Sequence, residues 1–98
     1  MSETELNFLT TLEHVISERL KDASEESYTA SLAAQGPKRL AQKIGEEGVE
    51  LALAAVAGDR GEVIDECADL LYHVLVMLGS QDIPLSEVVD VLESRHKS

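Results

Sequence analysis

Aromatic side chains are scarce in this sequence, which has no Trp, one Phe and two Tyr among 98 residues. With 44% hydrophobic residues overall, the core must be built from Leu, Val, Ile and Ala. That composition favours packed helices over a β-sandwich rich in aromatic side chains. The length suits a single small domain, which we expect to span residues 1–98.

Cysteine and long apolar runs are also lacking. The one cysteine, Cys67, cannot form an internal disulfide, which fits a reducing compartment such as the cytoplasm. The opening stretch "MSETELNF" is acidic and polar, unlike a secretory leader. The apolar runs are far shorter than the roughly 20 residues that cross a bilayer. We therefore expect a cytoplasmic protein without a membrane partner.

Basic residues are few, with 8 Lys and Arg against 19 Asp and Glu, for a net charge of −11. A nucleic-acid-binding domain usually presents a basic face, so we expect no nucleic-acid partner. Three of the eight cations, Lys38, Arg39 and Lys43, fall within six positions, directly before an acidic cluster. Cations beside acids in an otherwise acidic chain suggest that a metal ion and a phosphate are bound together.

The spacing of apolar residues predicts helices throughout. Residues 4–21 and 37–57 each show one apolar face at helical period, and Pro37 suits a first helical position. Between them, Ser24 or Ser27 caps a short helix that ends before Gly36. No strand-like alternation or repeat is present.

The second half of the chain continues this pattern. Gly58-Asp59 is a stop and restart, with Asp59 as the cap of a helix over residues 60–78. Ser86 is expected to cap a last short helix that reaches Arg95. The expected fold class is all-α, a bundle of four to five helices.

The stretch Leu70 to Leu78 is apolar nearly all round a helix. A helix that is hydrophobic on every side is normally buried, and one layer of partners within a chain this short covers it poorly. We therefore expect a homodimer or a larger assembly that uses this helix, in which another subunit completes the core.

Two acidic motifs fall on neighbouring helices, "EEGVE" at 46–50 and "ECAD" at 66–69. Residues three apart lie on one helix face, so Glu47 pairs with Glu50 and Glu66 with Asp69. The short turn at 58–59 makes the helices antiparallel and brings the two pairs level. Four carboxylates are thus expected to face one another.

Such a cluster is costly on its own. At about 4 Å and an effective dielectric near 20, each like-charged contact costs about 4 kcal/mol. Several contacts rival the whole stability of a small domain. A divalent cation relieves the repulsion, and all-oxygen ligands favour Mg²⁺, with Mn²⁺ as a possible substitute, over zinc.

Other interpretations of these acids remain open. A single Glu-x-x-Glu spacing is most often a solvated helix face, although two matched and level pairs make that interpretation weaker. A di-iron bundle uses Glu-x-x-His, and the chain has one such spacing, Glu93 to His96, near its end. A helical interaction module without catalysis is a further alternative.

The acidic motifs resemble the EExxE…ExxD pattern of the all-α, MazG-type nucleotide pyrophosphohydrolases. Three blocks, "SYTASL" (27–32), "GPKRLAQKIGEEGVE" (36–50) and "ADLLYHVLVML" (68–78), closely resemble the phosphoribosyl-ATP pyrophosphohydrolases of histidine biosynthesis. The similarity runs from about Leu6 to His96. A house-cleaning pyrophosphohydrolase of non-standard nucleoside triphosphates is the alternative, since it would share the four carboxylates without needing the other blocks.

The resemblance implies Mg²⁺-dependent hydrolysis of phosphoribosyl-ATP to phosphoribosyl-AMP and pyrophosphate, by a protein that is typically dimeric. The implied metal ligands are the four paired acids: Glu47, Glu50, Glu66 and Asp69. Glu46 is the remaining acid of the motif and points about 100° away from its neighbour. It is expected to act in catalysis, by binding a second ion or by orienting water.

Lys43 precedes Glu47 by four residues on the same helix face, a spacing that by itself favours an ion pair; the match of "QKIGEE" to the family implies instead that Lys43 binds phosphate and stabilises charge in the transition state. The structural alternative is an ion pair with Glu47 worth a few tenths of a kcal/mol. Lys38, in preference to Arg39, is expected to hold outer phosphates near the positive helix end.

The "SYTA" block contains Tyr28 and Thr29, for which the resemblance implies contact with the substrate. Judged by their own chemistry, Tyr28 would be a packing residue and Thr29 a capping residue. His73 follows Asp69 by four positions, and we expect a core residue or a residue behind the metal ligands rather than a ligand itself.

Overall fold

The computed structural model describes residues 3–21 and 27–97, and these residues form five helices without a strand. In chain order they are α1 (Glu3–Lys21), α2 (Tyr28–Ala34), α3 (Pro37–Ala57), α4 (Arg60–Ser80) and α5 (Leu85–Arg95). The expectation of an all-α fold with four to five helices is therefore confirmed.

The starts of α2 and α3 follow from local residue chemistry. The Ser27 hydroxyl accepts a hydrogen bond from the Ala30 N–H at 3.0 Å, so Ser27 is the cap of α2. The alternative cap, Ser24, lies outside the described residues. Gly36 has φ +94°, which an L side chain rarely adopts, and Pro37 then opens α3.

The turn between α3 and α4 is equally local. Gly58 ends α3 in the left-handed conformation, with φ +75°. The Asp59 carboxylate then accepts the Glu62 N–H at 3.1 Å and caps α4. With only Gly58 and Asp59 between them, α3 and α4 pack as an antiparallel pair.

The start of α5 differs from the prediction. Ser86 was expected to be its cap, but the helix begins at Leu85, and Pro84 occupies the cap position without a side-chain hydrogen bond. The Leu85 N–H instead donates to the Glu13 carboxylate of α1 at 2.6 Å. This carboxylate satisfies an N–H group that the first helical turn leaves free. The contact joins residues 72 positions apart, so the local pattern could not reveal it.

The core lies where α1, α2, α3 and α4 meet. Its buried members are Ile16, Leu32, Leu40, Leu75 and Val76, and the half-buried side chains of Leu12, Leu20, Tyr72, Met77 and Leu85 pack against them. Helices α1 and α4 approach closely at Gly79, where an added Cβ would lie 2.9 Å from Leu20 Cδ1. A glycine is therefore required there unless Leu20 moves.

The chain covers more of α4 than its apolar pattern suggests. Leu75 and Val76 are buried, and of the large apolar residues between 70 and 78 only Leu71 is exposed. The uncovered apolar surface lies mainly on α3, at Val49, Leu53 and Val56, and on α5, which buries no residue. Among the described residues, no helix combines the length and the hydropathy needed to span a bilayer.

Candidate functional site

The antiparallel pair of α3 and α4 brings the two acidic motifs together. The Glu66 side chain hydrogen-bonds to that of Glu50, and Asp69 and Glu47 are close enough to act on it electrostatically. The hydrogen bond to Glu50 raises the pKa of Glu66, and burial and the negative charges of its neighbours raise it further. Two carboxyl groups can share a hydrogen bond only when one of them holds a proton. The cluster therefore favours bound positive charge.

Glu47 is the buried member of the cluster, with 6% of its surface exposed. Its Oε1 atom lies 2.7 Å from Nδ1 of His73. That nitrogen, however, forms its hydrogen bond with the Asp69 carbonyl oxygen at 2.9 Å, and Glu47 Oε1 is left without a hydrogen-bond partner. A buried carboxylate oxygen without a partner costs free energy unless another donor or a cation reaches it.

Helix α2 is fastened to α4 beside this cluster by two side-chain links. The Tyr28 hydroxyl lies 2.7 Å from Nε2 of His73. Next to it, the Thr29 hydroxyl is in hydrogen-bond contact with the Tyr72 hydroxyl. The Tyr28 and Tyr72 rings stack at 6.3 Å, and both meet His73 edge-on. Thr29 is fully buried, whereas Tyr28 is 52% exposed.

The cations of α3 form no ion pair with Glu47 among the described residues. Arg39 lies 3.9 Å from Glu46, and both side chains are exposed, so this ion pair contributes little stability. Lys43 is half-buried and Lys38 exposed. In the described part of the chain Glu47 lies beside His73 and forms no ion pair with Lys43. The structural explanation of Lys43, as an ion-pair partner of Glu47, therefore does not apply. Lys43 thus remains available for an anion.

The donor set fits a hard divalent cation. Carboxylate oxygens suit Mg²⁺ or Mn²⁺, and the unpartnered Glu47 oxygen points to a missing positive charge. In their present side-chain positions, the described His, Cys, Asp and Glu residues include no group of three or more arranged to hold a metal ion. The acids therefore gather at one place, and side-chain rotation would still be needed to complete a ligand set.

The Glu-x-x-His spacing of the di-iron alternative lies at the exposed end of α5. His96, at the end of α5, is exposed and its Nδ1–H donates to the Leu92 carbonyl oxygen at 2.8 Å. This local bond occupies the ring nitrogen nearest the helix. Glu93 is exposed as well, so the Glu-x-x-His spacing forms a solvated helix end among the described residues.

Sequence reasoning did not anticipate the two links between α2 and α4. The sequence gives separate expectations for Tyr28, Thr29 and His73, and each residue has a structural explanation of its own, as a packing, capping or core residue. The available signal was the pairing of two neighbouring polar residues on α2 with two on α4. Helix packing alone decides which side chains of two separate helices meet.

Comparisons with known proteins show to which family the chain is similar. A model of the phosphoribosyl-ATP pyrophosphohydrolase family matches residues 9–96. The histidine biosynthesis bifunctional protein HisIE of Vibrio cholerae serotype O1 is 52% identical over 95 residues, which is 97% of this chain and 45% of that protein. The HisIE protein of Photobacterium profundum is 53% identical over 91 residues, covering 93% of this chain and 44% of the relative.

A third relative, the HisIE protein of Escherichia coli O157:H7, is 52% identical over 90 residues, covering 92% of this chain and 44% of the relative. The chain thus spans less than half the length of these relatives. The match of the family model nevertheless covers most of the chain, including both acidic motifs and the two links to α2. The chain belongs to the phosphoribosyl-ATP pyrophosphohydrolase family.

Proposed function

We propose that this chain hydrolyses phosphoribosyl-ATP to phosphoribosyl-AMP and pyrophosphate, the second step of histidine biosynthesis. The observation that carries the proposal is the family match over residues 9–96. The relatives are named as bifunctional proteins of histidine biosynthesis, which supports the pathway. The acidic cluster between α3 and α4 supplies a site of suitable chemistry.

We further propose that the reaction depends on Mg²⁺, held by Glu47, Glu50, Glu66 and Asp69. When bound, such an ion neutralises charge on the phosphate oxygens and lowers the pKa of coordinated water. The unpartnered Glu47 oxygen and the raised pKa of Glu66, caused first by its hydrogen bond to Glu50, support this assignment. Both features are relieved when a cation replaces the proton.

The neighbouring residues of α3 take the roles that phosphoryl transfer requires. Lys43 binds phosphate oxygens and stabilises their developing charge, and its half-buried position strengthens that interaction. Lys38 lies in the first turn of α3 and holds outer phosphates. Glu46, which is exposed and paired only loosely with Arg39, orients the attacking water or binds a second ion.

The two residues of α2 are placed differently from each other. The half-exposed ring of Tyr28 is available for contact with the substrate. Thr29 is fully buried, with its hydroxyl against Tyr72, so substrate contact by Thr29 would require α2 to move. Its contact with the substrate stays a prediction.

The test is release of pyrophosphate from phosphoribosyl-ATP by the purified chain with Mg²⁺ present. We expect turnover that disappears on chelation and returns with Mg²⁺ or Mn²⁺. Acceptance of non-standard nucleoside triphosphates in place of phosphoribosyl-ATP would replace the proposal with the house-cleaning alternative. Absence of any hydrolysis, in a folded chain, would favour the interaction module.

We also propose that the chain is a homodimer in the cytoplasm. The exposed apolar side chains of α3, at Val49, Leu53 and Val56, support a covering partner, because a contiguous apolar surface on one helix face is unusual in a monomer. The lone half-buried Cys67 is compatible with a reducing compartment. Sedimentation as a monomer at micromolar concentration would contradict the dimer.

A further inference from the structure

His73 joins three helices at the buried edge of the acidic cluster. It lies on α4 with 5% of its surface exposed. Its two ring nitrogens face the Tyr28 hydroxyl of α2, at 2.7 Å from Nε2, and the Asp69 carbonyl oxygen, at 2.9 Å from Nδ1. Glu47 of α3 approaches the same Nδ1 atom at 2.7 Å. No other described side chain contacts both α2 and the buried carboxylate in this way.

These contacts determine where the ring proton lies. A carbonyl oxygen only accepts hydrogen bonds, so Nδ1 must carry the hydrogen that reaches Asp69. In the neutral ring Nε2 is then an acceptor, and the Tyr28 hydroxyl donates to it. Both nitrogens are satisfied, and the ring cannot rotate without breaking one of the two bonds.

The fixed ring holds Glu47 in turn. The Nδ1–H group lies beside Glu47 Oε1, but its hydrogen is directed at the Asp69 carbonyl, which leaves Oε1 without a hydrogen bond of its own. The other tautomer, with its proton on Nε2, would present the Nδ1 lone pair to the carboxylate and repel it. The Nδ1–H form of His73 therefore keeps the Glu47 carboxylate in place and leaves its Oε1 atom free to bind a cation.

We propose that Tyr28 and His73 form a positioning pair that holds the Glu47 carboxylate ready for a divalent cation. The inference rests on the proposed function, in which Glu47 is a metal ligand. Neither residue needs to touch the metal for this role. Partners behind metal ligands commonly orient them in this way, and their loss costs about 10–100-fold in metal affinity or activity.

The chain supplies a matched control beside this pair. Thr29 and Tyr72 form the adjacent link between the same two helices, and among the described residues neither forms a hydrogen bond or ion pair with Glu47. Tyr72→Phe and Tyr28→Phe each remove one hydroxyl oxygen from one α2–α4 link. Only Tyr28→Phe removes a hydrogen-bond partner of His73. A difference in Mn²⁺ affinity between the two variants would therefore come from the positioning of His73 and not from the attachment of α2 to α4.

The experiment is titration of the full chain with Mn²⁺ alone, followed by electron paramagnetic resonance of the free ion. We expect Tyr28→Phe to weaken Mn²⁺ binding by about 10-fold and His73→Leu by up to about 100-fold. Tyr72→Phe should bind Mn²⁺ within about 2-fold of the unchanged chain, because it leaves His73 intact. His73→Asn should recover much of the loss of His73→Leu, because the Asn amide can donate from near the Nδ1 position.

The outcomes separate this inference from the proposed function. Mn²⁺ affinity that is unchanged in both Tyr28→Phe and His73→Leu, with binding intact in the parent chain, would overturn the positioning pair alone. Equal weakening in Tyr28→Phe and Tyr72→Phe would overturn it too, since fastening of α2 would then explain both. Failure of the parent chain to bind Mn²⁺ would overturn the proposed metal site and the positioning pair together.

A second readout needs no metal and keeps the inference testable should His73→Leu fail to fold. The ¹⁵N chemical shifts of the His73 ring distinguish a proton on Nδ1 from one on Nε2. We expect the Nδ1–H form in the parent chain and in Tyr72→Phe, and a loss of that single form in Tyr28→Phe. A ring protonated on Nε2 in the parent chain would overturn the inference.

Discussion

The two ends of the α3–α4 pair have similar apolar composition but opposite surroundings. At the end away from the turn, Leu40 and Val76 are buried against α1 and α2. At the end near the turn, Leu53 and Val56 are 63% and 87% exposed, and Ile64 is also exposed. The acidic cluster lies between the two ends, where the cover provided by the other helices stops.

That boundary explains why the acids differ among themselves. Glu47 is on the covered side and is buried against His73, while Glu50 and Asp69 are exposed. A charge close to apolar cover interacts more strongly with a cation than one in bulk water, because the effective dielectric is lower. Exposure of the outer acids keeps the cluster open to a phosphate-bearing substrate. The difference between the two ends therefore creates a site that is both polar and partly desolvated.

The largest expected effect contrasts the two ends directly. Leu40→Ala should lower the free energy of unfolding by about 2–5 kcal/mol, because it leaves a cavity in the core. Leu53→Ala, at the uncovered end, should change it by no more than about 0.5 kcal/mol in the monomer. Urea unfolding at low protein concentration measures both. Equal losses in the free energy of unfolding would show that the end of the α3–α4 pair near the turn is also packed against other helices.

The second prediction concerns the acid at the boundary. Glu47→Gln should reduce pyrophosphate release by at least about 100-fold, since even residues behind metal ligands are worth 10–100-fold. Glu87→Gln, an exposed carboxylate in the first turn of α5, is the control and should retain activity. Steady-state kinetics with saturating Mg²⁺ measures the difference. Retained activity in Glu47→Gln would show that Glu47 is not part of the active site.

A smaller effect concerns the turn that sets the register of the two helices. Gly58→Ala should destabilise the fold by about 1 kcal/mol, because Gly58 has φ +75° and an alanine there is strained. Gly61→Ala should instead stabilise by about 0.4–1 kcal/mol, because its helical position has room for a Cβ. Thermal unfolding of the two variants should therefore shift in opposite directions.

The smallest expected effect is a pH dependence at the exposed side of the cluster. The hydrogen bond to Glu50 raises the pKa of Glu66 in the folded chain, so the folded state binds this proton more tightly than the unfolded state. Without divalent cations, the contribution of Glu66 to stability should thus fall as pH rises from the ordinary glutamate value through the raised one.

Melting temperatures recorded across this pH range measure the effect. Glu66→Gln should flatten the slope, because the titrating group is gone. At pH values above the raised pKa of Glu66, added Mg²⁺ should increase the melting temperature and so counteract its decline, since the ion binds the ionised carboxylates of the folded chain. A slope that Glu66→Gln leaves unchanged would assign the pH dependence to another group.

Helix boundaries were predictable wherever a local residue decides them. Pro37 and Gly58 delimit α3 and Asp59 caps α4, as expected from their intrinsic conformations and hydrogen bonds, and α2 is capped by Ser27, one of its two candidates. The prediction at Ser86 was wrong because the Glu13 carboxylate, far away in sequence, satisfies the first N–H group of α5. Local chemistry cannot include a partner that only folding brings near.

The acidic cluster was predictable in position but not in its internal order. Helical spacing and the two-residue turn placed Glu50 against Glu66, and the structure brings these side chains into a hydrogen bond. Helical spacing alone gives no reason for one of the four acids to be more buried than the others. Which of them is buried depends on where α2 lies, and helical periodicity within α3 carries no information about α2.

The amino-acid sequence by itself determined the helical class, the turn between α3 and α4 and the meeting of the acidic motifs, because each follows from dihedral preferences and spacing within one or two adjacent helices. Only the tertiary structure decided that Glu47 is the buried acid, that His73 bridges it to Tyr28, and that the uncovered apolar surface lies mainly on α3 and α5 rather than on α4. Those features depend on the packing of separate helices, and packing is decided by the whole set of side chains that must share one core.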